Sequence, residues 1–188
     1  MKKTLLASAL IAVAGMAQAQ SATYAIDPTH TFVNFEAKHF GTSTLRGRFD
    51  KKEGSVTFDK AAKSGKAEIT IDMASVSTGV APLDGHLKSK DFFNAAEHPT
   101  AKFVGDKFSF SGDKVTTVAG TLTFLGKTQP VTLTATNFNC YQNPMLKREV
   151  CGGDFETTIQ RSQFGNSYGL PGIPDGIKLL IQVEAVKQ

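Results

Sequence analysis

The sequence predicts an all-β fold, an eight-stranded antiparallel barrel, and three observations carry that reading. Apolar and polar residues alternate with a period of two along most of the chain. Glycine-bearing turn signals separate the alternating runs at hairpin spacing. One stretch alone, "PLDGHLKSKDFFNAAEHPTAKF" from Pro82 to Phe103, breaks the pattern and reads as a helix. Antiparallel strands in this number form a sandwich or a closed barrel. Long strands, short hairpins and a single helical interruption favour the barrel.

The elements follow in chain order. Lys2 and Lys3 precede an apolar run from Leu5 to Met16, and Ala17-Gln18-Ala19 supplies a small-x-small cleavage site. Residues 1–19 therefore read as a secretory signal peptide, cut after Ala19. The run is too short to span a bilayer as a mature helix. Residues 20–188 are then one barrel domain with no transmembrane segment, in the periplasm or secreted. "TFVNFEAKHF" places Val33, Phe35, Ala37 and His39 on one face. A second strand covers 45–58, broken at Glu53-Gly54. "KAEITIDM" sets Ala67, Ile69, Ile71 and Met73 against Glu68, Thr70 and Asp72.

The helical excursion is expected near 82–95. Pro82 suits a first helical turn, Asp84 and Lys88 are spaced for an i,i+4 pair, and Leu83 and Leu87 share the opposite face. Pro99 disfavours helix at His98 and returns the chain to a strand. Five strands remain, near 101–111, 114–125, 128–140, 150–162 and 176–186. Gly112-Asp113 and Gly126-Lys127 mark tight turns between them. Cys140 and Cys151 flank "YQNPMLKREV" and read as a disulfide across the base of a long hairpin. A catalytic thiol is the rival reading.

Composition excludes several functions. Without Lys2 and Lys3 the balance is 19 basic against 17 acidic residues, scattered without a run. Neither nucleic acid nor a polybasic membrane patch is implied. There is no His-Glu-x-x-His, and nothing in the chain matches nucleophile–base–orienter logic beyond composition, so no catalytic residue is assigned. The four histidines form no close pair at ligand spacing, so no metal or haem site is assigned either. An enzyme and a haem or metal protein stay as the weaker alternatives.

An eight-stranded barrel is just wide enough to hold one small ligand. Strand parity nominates Val33, Phe35, Ile69, Ile71, Phe103, Leu122, Ile159, Leu179, Ile181 and Val183 as channel lining. Phe92, Phe93 and Phe164 come from non-strand segments and would shape one end. On pattern alone the same faces could be a filled core. Arg161 shares the Ile159 face, so its guanidinium needs an acid such as Asp91, carbonyls or a ligand head. His39 sits on the inward parity near a strand end, as a head-group contact or a structural histidine. His30, after a proline turn, is expected to bond the backbone there.

Five motifs, taken in order, resemble the YceI family of periplasmic lipocalin-like proteins: "YAIDPTHTFVNFEAKHF", "LRGRF", "DGHLKSKDFFNAAEHPTAKF", "VAGTLTFLGKTQPVTL" and "IQRSQFG". The "FNCYQNPMLKREVCGGDF" segment is similar to a disulfide-bearing subgroup. The resemblance implies a lipocalin-like barrel with a helix beside it. It implies a bound polyisoprenoid, such as ubiquinone or a polyprenyl phosphate, with no other cofactor. It tips the lumen from filled core to ligand channel. A carrier or storage protein is the expected role, with a scavenger of other hydrophobic molecules such as antibiotics as the alternative. Whether the protein pairs as a homodimer stays open.

Overall fold

The structure, a computed structural model, describes residues 21–188. The expected signal peptide lies outside the described residues. The elements are β1 Ala22–Ile26, β2 Phe32–His39, β3 Ser43–Phe49, β4 Lys52–Asp59, β5 Ser64–Asp72, β6 Val76–Ser77, α1 Ala81–Lys88, β7 Thr100–Ser111, β8 Lys114–Phe124, β9 Lys127–Asn143, β10 Arg148–Gln160 and β11 Gly176–Lys187.

All pairings are antiparallel, and the order β1-β4-β5-β7-β8-β9-β10-β11 closes on itself because β11 also pairs β1. That ring is the eight-stranded barrel. The other three segments continue its staves: β2 follows β1 along β11, β3 leads into β4, and β6 follows β5. No sheet edge runs the length of the barrel, which removes the exposed-edge hazard of an open sheet. The ladder stops between β6 and β7, and the chain between them, carrying α1, fills that end.

The breaks in the staves have local causes. Between Ala25 and Val33 the chain advances eight residues while its partner advances six, from Ser55 to Phe49. The surplus bulges at "DPTH", where Pro28 has no N–H for a ladder. There Asp27 accepts hydrogen bonds from the Thr29 amide and hydroxyl. The break expected at Glu53-Gly54 lies instead at Asp50-Lys51. Gly54 stays in the ladder opposite Ile69, and a Cβ there would stand 2.1 Å from the Glu68 carbonyl oxygen. Glycine is required by close strand approach, not by a turn.

The helical excursion is present, and its regular part is shorter than 82–95. It spans Ala81–Lys88, with Pro82 in the first turn. The Phe93 amide then bonds the Leu87 carbonyl, the Ala95 amide bonds the Lys88 carbonyl, and Asn94 adopts φ +42°. These bonds satisfy the helix's last carbonyls while the chain curls, which buries Phe92. Asp84 does not pair with Lys88; it accepts bonds from the Thr78 amide and hydroxyl at 2.7 and 2.6 Å.

Candidate functional site

The lumen holds two chambers. The larger has a volume of about 610 Å³ and occupies the end where α1 sits. Its wall is built from positions on seven strands, among them Phe35, Ile71, Leu122, Ile159 and Leu179. Leu87 of α1, Phe92 and Phe93 of the following turns, and Tyr168 and Ile173 of the segment before β11 complete it. The smaller chamber, about 100 Å³, lies toward the opposite end and is lined by groups such as Phe58, Ala67, Ile69, Val118 and Phe155. Val33 is common to both walls.

Polar groups enter the large chamber only at its outer end. Lys38 and His39 close β2, and both are exposed. The His39 ring packs edge-on to Phe40, with centroids 4.9 Å apart. His86 of α1 bonds Asp91 at 3.0 Å and packs against the rings of Phe92 and Tyr168. Asn166, Arg161 and Tyr168 complete the set, and no carboxylate lines this chamber among the described residues.

Arg161 is 4% exposed yet contacts no acid. β10 ends at Gln160, so Arg161 opens a 3-10 turn rather than extending the strand. Its Nε donates to the Pro174 carbonyl at 3.0 Å, Nη2 to Ile173 at 2.8 Å and Nη1 to the Asn166 Oδ1 at 2.7 Å. Asn166 in turn donates to the Phe92 carbonyl at 2.9 Å. Burial works against the guanidinium's charge, and nearby Asp175 offsets part of that. Asp91 is taken by His86, so the expected Arg161–Asp91 pair does not form. The carbonyl reading holds instead: one buried cation organises the chain that covers this end.

The opposite end is closed by a different network. The Tyr24 hydroxyl donates to Glu149 at 2.5 Å, and Lys60 reaches the other Glu149 oxygen at 2.8 Å. Burial, then the bond and charge of Glu149, hold the Tyr24 phenol above its ordinary range. Burial opposes ionisation of Glu149, but the bonds from Lys60 and Tyr24 outweigh it and lower its pKa. Cys140 and Cys151 face each other in the ladder and form a disulfide. With Glu149 they are the one cluster close enough to hold a metal among the described residues, and the disulfide occupies both sulfurs.

The structure places Val33, Phe35, His39, Ile71, Phe92, Phe93, Leu122, Ile159, Arg161 and Leu179 on the large chamber. Ile69, Ile181 and Val183 line the small one. Phe103 and Phe164 line neither. Phe164, 1% exposed, packs on Phe124 behind the wall. His30 bonds the Asp27 carboxylate at 2.7 Å, in addition to its backbone turn bond. Sequence reasoning missed His86, Leu87, Tyr168 and Ile173 as lining. The Leu83–Leu87 face was visible as a packing face, while the "NSYGLPGIP" segment has no period that could reveal its inward residues.

The chain is similar to proteins already grouped together. Residues 24–185 match the YceI-like domain. A UPF0312 protein of Pseudomonas aeruginosa is 37% identical over the full length of both chains, as is Protein YceI of Escherichia coli O157:H7. The crystal structure of Burkholderia cenocepacia BcnA superposes with a TM-score of 0.71 at 28% identity, covering 85% of this chain and 99% of that one. A polyisoprenoid binding domain from Saccharophagus degradans shares the fold, with a TM-score of 0.66 at 17% identity over 89% of this chain and 99% of that one.

Proposed function

Because the chain belongs to the YceI-like family, we propose that it binds an isoprenoid lipid in the barrel and carries or stores it. The observation that supports this reading most is the asymmetry of the 610 Å³ chamber, apolar in depth and polar only at its outer end. Its size falls in the roughly 300–1,000 Å³ range of small-molecule sites. Each buried five-carbon unit of a tail contributes at most about 4 kcal/mol, at about 0.8 kcal/mol per carbon group. Ordering of the tail subtracts from that. The head stays among Lys38, His39 and His86, because an unpaired polar head in the depth is costly. An isoprenoid quinone or a polyprenyl phosphate meets these requirements, and the role is binding rather than catalysis.

Residues 1–19 export the chain, and residues 20–188 act as one domain in the periplasm. Likeness to a polyisoprenoid binding domain supports the ligand class. Mass spectrometry of protein purified from its own host should find a co-purified isoprenoid, with an N-terminus at Gln20. Repeated absence of any lipid would sink the ligand reading. Competition between ubiquinone and hydrophobic antibiotics separates a dedicated carrier from a general scavenger.

A further inference from the structure

Phe103 was expected on the channel lining, yet it borders neither chamber. It is nevertheless buried, at 8% exposure, within the main apolar cluster. Its place in the ladder explains this. On one side it pairs with Ile69, which lines the small chamber; on the other it pairs with Leu122, which lines the large one. Phe103 therefore sits in the packed layer where one chamber ends and the other begins. Its ring lies against the bare backbone of Gly105, where a Cβ would stand 2.9 Å from Phe103 Cε1 and 2.5 Å from Val118 Cγ1. Val118 is itself a wall residue of the small chamber.

We propose that Phe103 backs the partition between the two chambers and so sets the length of tail the large one accepts, with the small chamber beyond a tail subsite that this packed layer withholds. This rests on the isoprenoid-binding reading above. The withheld space suits a hydrocarbon end and nothing else, because its wall groups are almost all aliphatic or aromatic and a polar group there would lack partners. At roughly 30 Å³ of liquid volume per water, the 100 Å³ chamber equals about three waters, room for no more than about one five-carbon unit. Removing the ring joins that space to the larger chamber.

The test is a binding series on the mature protein with all-trans prenols, from farnesol and geranylgeraniol upward, each one five-carbon unit longer than the last. Wild-type affinity rises with length and then levels off. Phe103→Ala moves the levelling point out by about one unit, with about tenfold tighter binding of the first prenol past the wild-type limit. Phe103→Leu shifts it in the same direction by less, which keeps the test open if the alanine variant fails to fold. Adding Ala67→Leu to Phe103→Ala refills the small chamber and restores the wild-type limit, while Ala67→Leu alone leaves that limit unchanged. A folded Phe103→Ala protein with an unmoved limit overturns the gauge and leaves the binding role standing. A limit shortened by Ala67→Leu alone also overturns it, since the partition would then be open. A wild-type protein that binds no prenol of any length overturns the binding role, and the gauge falls with it.

Discussion

The two ends of the barrel share the same strands and the same alternation, yet they are closed in different ways. At the narrow end, strand partners finish the job: Cys140 opposes Cys151, and Tyr24 and Lys60 converge on Glu149. At the wide end the ladder opens between β6 and β7, and irregular chain carrying Phe92, Tyr168 and Ile173 covers the gap. Closure by cross-strand partners leaves about 100 Å³, and closure by loops leaves about 610 Å³. The lesson is that cavity size here is set by what caps the barrel rather than by the number of its strands.

The largest expected effect is at the wide end. Arg161→Met strips donors from the Ile173 and Pro174 carbonyls and from Asn166, and it loosens the Asn166–Phe92 link. Orphaned buried acceptors cost about 1–3 kcal/mol each, so a loss on the order of 3–5 kcal/mol is expected in urea denaturation. Hydrogen exchange should show the amides of residues 166–175 opening before the strands do. A loss below about 1 kcal/mol would mean the cover of the wide end does not hang on this guanidinium.

The same contrast explains what could be read in advance. The strands were legible because alternation is a local pattern imposed by a buried face: Val33, Ile71, Leu122 and Leu179 all point where their parity says. The narrow-end disulfide was legible because two cysteines flank one hairpin. The cover of the wide end was not. Arg161 has the parity of an inward cation, but apart from the Asn166 side chain its partners are backbone carbonyls, and a backbone carbonyl leaves no trace in residue type. Tyr168 and Ile173 face the chamber from a Gly/Pro-rich segment without period. Phe103 has the right parity, but the boundary between chambers is a packing outcome that no strand pattern encodes.

At the narrow end the first prediction concerns the disulfide. The bridge spans eleven residues, and in the chain-entropy model closing so short a loop stabilises by roughly 3 kcal/mol. A Cys140→Ser/Cys151→Ser double variant should lose about that much while keeping the wild-type prenol preference, because neither cysteine lines the large chamber. Equal losses of stability and of binding would show that the two ends are coupled, and the contrast drawn between them would fail.

The smallest effect sharpens the comparison through pH. Tyr24→Phe removes one buried hydrogen bond to a carboxylate, expected to cost roughly 1–2 kcal/mol near neutral pH. The Tyr24 phenol is raised in the folded protein, so its contribution is fully present below the ordinary phenol pKa of about 10 and is lost as pH rises through the folded value. Glu149 is lowered, so its contribution is present above the ordinary carboxylate pKa of about 4 and is lost as pH falls through the folded value. The difference between wild type and Tyr24→Phe should therefore be flat from about pH 5 to 9 and shrink on both sides. On the acid side it shrinks only in part, because a protonated Glu149 can still accept a bond from Tyr24. Denaturation curves across that range check it. A difference that stays constant into alkaline solution would mean that the Tyr24–Glu149 bond does not hold the narrow end shut, and that the disulfide beside it acts alone.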